Sequence, residues 1–134
     1  LKPPTANFGE HRAAKKLGIP IIPLGDGFTW RSKDMDHTQA LALEQWDRCR
    51  EAILAGEHDI IIMDEFTYPL HYGWLPVEEV IDVLKQRREM LHVVITGRYA
   101  PQELIDYADL VTEMTLIKHP YREQGVKAQP GIEF

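Results

Sequence analysis

The sequence predicts an α/β fold with a mostly parallel sheet, because short apolar runs rich in β-branched residues alternate with stretches of helical periodicity. Ile60-Ile61-Ile62-Met63 and Leu91 to Ile95 are too short for helices and read as strands buried on both faces. From Asp36 to Ala55, the positions Ala42, Trp46, Cys49 and Ile53 fall at helical spacing, with Asp36 as a cap and Gly56 as a stop. Trp46 and Cys49 lie on that apolar stripe and read as core, the lone thiol serving as a small hydrophobe. Pro76 suits a first helical position. Val77, Val80, Ile81 and Leu84 mark the buried face that follows, with Glu78 and Glu79 near its start and Lys85, Arg87 and Arg88 near its end, matching the helix dipole. Pro101 opens a short helix through Tyr107, and Asp109 to Ile117 reads as a further strand. Ile19 to Leu24 carries two prolines and fits an edge strand or an irregular extended segment. The tail from Lys118 is polar. No linker, internal repeat or low-complexity stretch divides residues 1–134, which read as a single domain.

Composition narrows the function classes. With 15 Lys and Arg against 21 Asp and Glu, the net charge of -6 offers no positive field to attract nucleic-acid backbones. The apolar runs fall far short of the roughly 20 residues a membrane span needs. A single cysteine builds no disulfide framework, so a reducing compartment, the cytoplasm, is the expected location. The six histidines show no His-x-x-x-His spacing, and Ser32, the only serine, lacks a nucleophile elbow.

In parallel α/β sheets ligands gather at the carboxyl ends of strands. Asp64-Glu65 leaves the first run, where a carboxylate would hold Mg²⁺ directly or through water beside a nucleotide triphosphate; equally, two acids can simply begin a solvated connection. The phosphate-cradling Gly-x-x-x-x-Gly-Lys-Ser/Thr motif occurs nowhere in these residues. Thr96-Gly97-Arg98 ends the second run, its glycine permitting a tight exit and its guanidinium able to reach a phosphate or to stand as a surface charge. In Gly25-Asp26-Gly27-Phe28-Thr29-Trp30, alternation sends Phe28 and Trp30 to one side of an extended stretch, as core packing or as a wall against a broad, flat ligand.

Taken together, these blocks resemble the P-loop-type ATP:corrinoid adenosyltransferases. The resemblance rests on Phe8-Gly9-Glu10, Gly27-Phe28-Thr29-Trp30, Met63-Asp64-Glu65-Phe66-Thr67-Tyr68, Leu75-Pro76-Val77-Glu78-Glu79-Val80, Val94-Ile95-Thr96-Gly97-Arg98, and Val126-Lys127-Ala128-Gln129 with Gly131-Ile132-Glu133, in order along the chain. It implies a RecA-like P-loop fold whose N-terminal βαβ unit, with the phosphate loop, is absent from residues 1–134. These residues would then be the C-terminal part of the nucleotide-binding domain. It further implies transfer of the 5′-deoxyadenosyl group of ATP to the cobalt of a reduced corrinoid, with release of triphosphate. Phe28 and Trp30 match the aromatic pair that displaces the lower cobalt ligand, and Asp64 and Glu65 match the acids near Mg²⁺, for which Mn²⁺ is a possible substitute. Thr96, Arg98, Lys127 and Gln129 would contact the nucleotide, Arg98 also adding charge near the triphosphate. An electron-donating flavoprotein and a homodimer are the implied partners. Two other readings stay open: a P-loop NTPase that hydrolyses ATP without corrinoid chemistry, and a non-catalytic corrinoid- or partner-binding module.

Overall fold

A computed structural model describes residues 9–23 and 35–129. The predicted periodicity of the longest segment becomes a helix over Met35–Ala55 that buries Thr38, Ala42, Trp46 and Ile53 along one stripe. The helix starts one residue before Asp36, which is therefore not its cap but lies in the first turn, where its charge suits the dipole, and Gly56 at φ 63° ends it in the left-handed region. Counting from the shorter helix Gly9–Leu17 (α1), this is α2; the remaining elements are β1 (Ile60–Met63), α3 (Thr67–His71), α4 (Val77–Lys85), β2 (His92–Ile95), α5 (Gln102–Tyr107) and α6 (Pro120–Gln124).

β1 and β2 pair in parallel, Ile60 opposite His92 and Met63 opposite Ile95. The crossover between them runs through α3 and α4, and α4 packs on both α2 and α5. The core gathers Trp46 and Ile53 of α2, Met63 of β1, Phe66, Leu70 and Leu75 of the β1–α4 connection, Val80, Val83 and Leu84 of α4, with Leu91 and Leu104 closing it. Trp46 meets Phe66 at 5.6 Å between ring centroids, and its indole N–H donates to Glu79 Oε1 at 2.6 Å, so the one polar atom of a buried ring is satisfied. Arg87 fastens α4 to α5 by donating to Leu84 O at 2.9 Å and to the Tyr107 hydroxyl at 3.0 Å.

Three expectations change. The strands are buried on one face only: Ile60 and Ile62 are 55% and 63% exposed, and Val94, beside Ile62 in the register, shares that bare face. The alternate residues Ile61, Met63, Val93 and Ile95 face the core, so among the described residues β-branched runs alone overstated the number of covering layers. Residues Asp109 to Ile117 form no strand; they run without regular structure, with Leu110, Met114 and Ile117 fully out in solvent. Apolar content favours a strand only where a partner edge supplies hydrogen bonds, and none of the described elements does so here. Finally, three helices appear where the sequence reading placed none: α1, and α3 and α6, whose five residues each are too few to display a period. α6 carries a readable signature, since Pro120 opens it, the His119 N–H donates to Glu123 Oε1 at 2.9 Å, His119 Nδ1 accepts from Tyr121 N, and Gly125 ends it at φ 69°. Residues 19–23 take the irregular alternative, and Cys49 is half-buried against the core. Among the described residues no helix is long and apolar enough to cross a membrane.

Candidate active site at the strand tips

Parallel pairing brings the carboxyl ends of β1 and β2 side by side, and the residues that follow each strand are tied together by hydroxyl groups. The Thr96 N–H continues the ladder to Met63 O at 3.1 Å. Its side chain then works twice: Oγ1 donates to Asp64 Oδ1 at 2.8 Å and accepts from the Glu65 N–H at 2.9 Å. One hydroxyl thereby orients one carboxylate and fixes the backbone of the next. Glu65 takes φ 57°, a left-handed conformation uncommon for a residue with a Cβ, and the Thr96 bond holds it there.

Thr67, at the start of α3, makes the second tie. Its buried hydroxyl donates to Arg98 O at 2.7 Å, across from one strand tip to the other. Gly97 sits at φ 143°, and a Cβ built there would fall onto Thr67 Oγ1, so both backbone conformation and space require glycine. The tight exit that the sequence assigned to Gly97 is what the structure shows, whereas Thr67 is the residue of this cluster to which the sequence reading gave no task. The available signal was the position of a threonine two residues beyond the acid pair, which only the crossover geometry turns into a contact with the second strand's exit.

Asp64 and Glu65 are both exposed, and the Glu65 carboxylate points into no salt bridge among the described residues. The same holds for the exposed Arg98 guanidinium, which acts on Tyr68 alongside Glu65. Partial burial, with Glu65 next in weight, pushes the Tyr68 hydroxyl above the ordinary tyrosine range, partly offset by Arg98. Among the described residues no three His, Cys, Asp or Glu side chains are grouped to hold a metal. An acid pair without further protein ligands fits Mg²⁺ that completes its octahedron with phosphate oxygens and water, and does not fit a closed all-protein cage. The structure thus brings Asp64, Glu65, Thr96 and Arg98 together. Lys127 is exposed beyond α6, and no hydrogen bond or ion pair among the described residues joins it to this cluster; Gln129 is exposed two residues further on. Phe28 and Trp30 lie outside the described residues.

Acids, a bridging hydroxyl and an arginine at the carboxyl ends of adjacent parallel strands characterise α/β proteins that take their ligand at the strand tips. Comparison with known proteins narrows that class. The family model described as ATP:corrinoid adenosyltransferase BtuR/CobO/CobP matches residues 1–134, and the chain belongs to that family. A corrinoid adenosyltransferase of Sinorhizobium sp is 46% identical over 112 residues, which cover 83% of this chain and 52% of the relative. The corrinoid adenosyltransferase of Escherichia coli is 32% identical over 126 residues, covering 94% of this chain and 64% of its own length. The Salmonella typhimurium corrinoid adenosyltransferase CobA is 33% identical with the same coverage. The chain therefore spans about half to two thirds of the length of these relatives.

Proposed function

We propose that this chain supplies the strand-tip half of a site that transfers the 5′-deoxyadenosyl group of ATP to the cobalt of a reduced corrinoid. Family membership supports the reaction class, and the Asp64–Thr96–Glu65 network is the observation that carries its location. In the proposed step the electron pair of Co(I) attacks the ribose 5′ carbon; the Co–C bond forms, the carbon–oxygen bond breaks, and its electron pair departs with triphosphate. Cobalt is formally oxidised to Co(III), and an electron-donating flavoprotein supplies the single electron that makes Co(I) from Co(II) beforehand. The wider fold is a RecA-like P-loop domain, to which residues 1–134 belong as a single unit acting as a homodimer in the cytoplasm.

Each residue has a defined task. Glu65, with Asp64 beside it, holds Mg²⁺, which when bound neutralises charge developing on the leaving triphosphate. Thr96 orients the Asp64 carboxylate and pins the Glu65 backbone, so the two acids that would hold Mg²⁺ need little reorganisation. Arg98, whose backbone is anchored by Thr67, adds a donor fork for phosphate oxygens. Lys127 and Gln129 contact the nucleotide. Phe28 and Trp30 close one corrin face against water and axial donors, which eases reduction of the cobalt.

The deciding experiment is turnover of MgATP and chemically reduced cob(I)alamin by the purified protein, followed by the absorbance of the adenosylated product. Glu65→Gln should lower kcat about 100-fold. Full activity in that variant removes the acid pair from the mechanism. Tight MgATP binding by this chain in equilibrium dialysis would exclude the other reading, a binding module without catalysis.

A further inference from the structure

Glu65 at φ 57° after β1 and Tyr99 at φ 59° after β2 both hold a left-handed backbone, and each is held by a residue from the opposite strand exit. Thr96, which follows β2, accepts from the Glu65 N–H at 2.9 Å. His71, the last residue of the helix that follows β1, stacks on the Tyr99 ring with 4.6 Å between centroids and 26° between planes. Thr67 and His71 stand four residues apart on α3 and so share one face of it. That face meets three consecutive residues of the second exit: Thr67 occupies the space a Gly97 Cβ would need and donates to Arg98 O at 2.7 Å, while His71 carries the ring of Tyr99. Arg98 is thereby gripped on both sides, and its guanidinium enters no ion pair among the described residues.

The stack is a poor device for stabilising the fold. Tyr99 stays 65% exposed, and a left-handed backbone takes from a bulky residue about as much as one exposed ring pair returns. Strain kept for so small a return belongs where a neighbouring group must stay in place. We propose that His71, through its stack on Tyr99, is a positioning residue that holds Arg98 ready for the triphosphate group of the nucleotide, an inference that rests on the adenosyl-transfer reading above. The Tyr68 hydroxyl, raised mainly by burial, feels Glu65 and Arg98 with opposite sign, so the guanidinium belongs to the neighbourhood of the acids. Without the stack, Thr67 still ties the Arg98 carbonyl, but residue 99 is released and the guanidinium samples more directions. Phosphate must then order it on binding, which weakens affinity.

The test is isothermal titration of the full-length protein with inorganic triphosphate in the presence of Mg²⁺, for the wild type, His71→Ala, His71→Phe, Tyr99→Ala, Arg98→Ala and the His71→Ala, Arg98→Ala double variant, with circular dichroism as a check on folding. Arg98→Ala should raise the triphosphate Kd about tenfold, and His71→Ala and Tyr99→Ala about fivefold each. His71→Phe, which keeps a ring on Tyr99, should stay within about twofold of the wild type. Because His71 acts through Arg98, the double variant should bind no more than about twofold worse than Arg98→Ala alone. Folded His71→Ala and Tyr99→Ala proteins that bind triphosphate as the wild type does, while Arg98→Ala is weakened, overturn the brace and leave the adenosyl-transfer reading intact. Additive losses in the double variant overturn it too, because His71 then acts independently of Arg98, and so does a loss in His71→Phe equal to that in His71→Ala. Unchanged binding by Arg98→Ala, or a wild type that binds no triphosphate, overturns the task given to Arg98 in that reading and the brace with it.

Discussion

Thr96 and Gly97 show how much of the site depends on single atoms. Thr96→Val keeps the shape but removes one donor and one acceptor, freeing the Asp64 carboxylate and the Glu65 N–H. The expected result is at least about tenfold lower kcat and a higher Mg²⁺ requirement, with Thr96→Ser close to wild type; steady-state assays across Mg²⁺ concentrations check it. Gly97→Ala meets both the left-handed φ and the Thr67 hydroxyl, so a loss of about 2 kcal/mol or more is expected in urea unfolding. Tyr68 gives a pH prediction. Its hydroxyl is raised in the folded state, so the neutral form is favoured there; any stability it contributes is complete below the ordinary tyrosine range and fades as pH climbs through the higher folded value. An ultraviolet titration should show one phenolate appearing late in the native protein, and Tyr68→Phe should remove that component. Burial likewise raises the Cys49 thiol, so alkylation at neutral pH should be slower in the folded protein than in urea.

At the scale of elements, α2 and α4 set the site from behind. Ile53 and Val80 are fully buried where these helices meet the covered sheet face, and Ile53→Ala should cost about 2–5 kcal/mol in a denaturant titration. Both helices were readable from spacing, because in each the apolar positions repeat along one face, with Gly56 ending the first and Pro76 opening the second. α3 was not. Five residues cannot display a period, and the helix exists because Phe66 and Leu70 are drawn into the core while Thr67 reaches for Arg98. The segment 109–117 fails in the opposite sense, having a strand's composition without a neighbouring edge to pair with among the described residues.

Among the described residues as a whole, one sheet face is covered and the other shows Ile60, Ile62 and Val94 to water. Such a face should bind a hydrophobic dye, and Ile62→Thr in the 134-residue chain should lower that fluorescence while shifting the unfolding midpoint little, the side chain being mostly exposed already. The same layout explains the position of the chemistry. A parallel crossover leaves both strand exits at one end, so acids from one exit and a hydroxyl and guanidinium from the other meet without being near in sequence.

From residue order alone came the α/β class, both strands, the two principal helices, the acid pair, the Thr-Gly-Arg exit and the likeness to a family. All of these reside in local periodicity or in contiguous motifs, which a chain displays before it folds. Tertiary structure alone decided that Thr96 orients Asp64, that Thr67 anchors Arg98, that Tyr99 stacks on His71, and that the described strands are covered on a single face. Those facts depend on contacts across about 30 residues of chain, and pairing two strand exits through space is a property of the crossover that no short window of sequence contains.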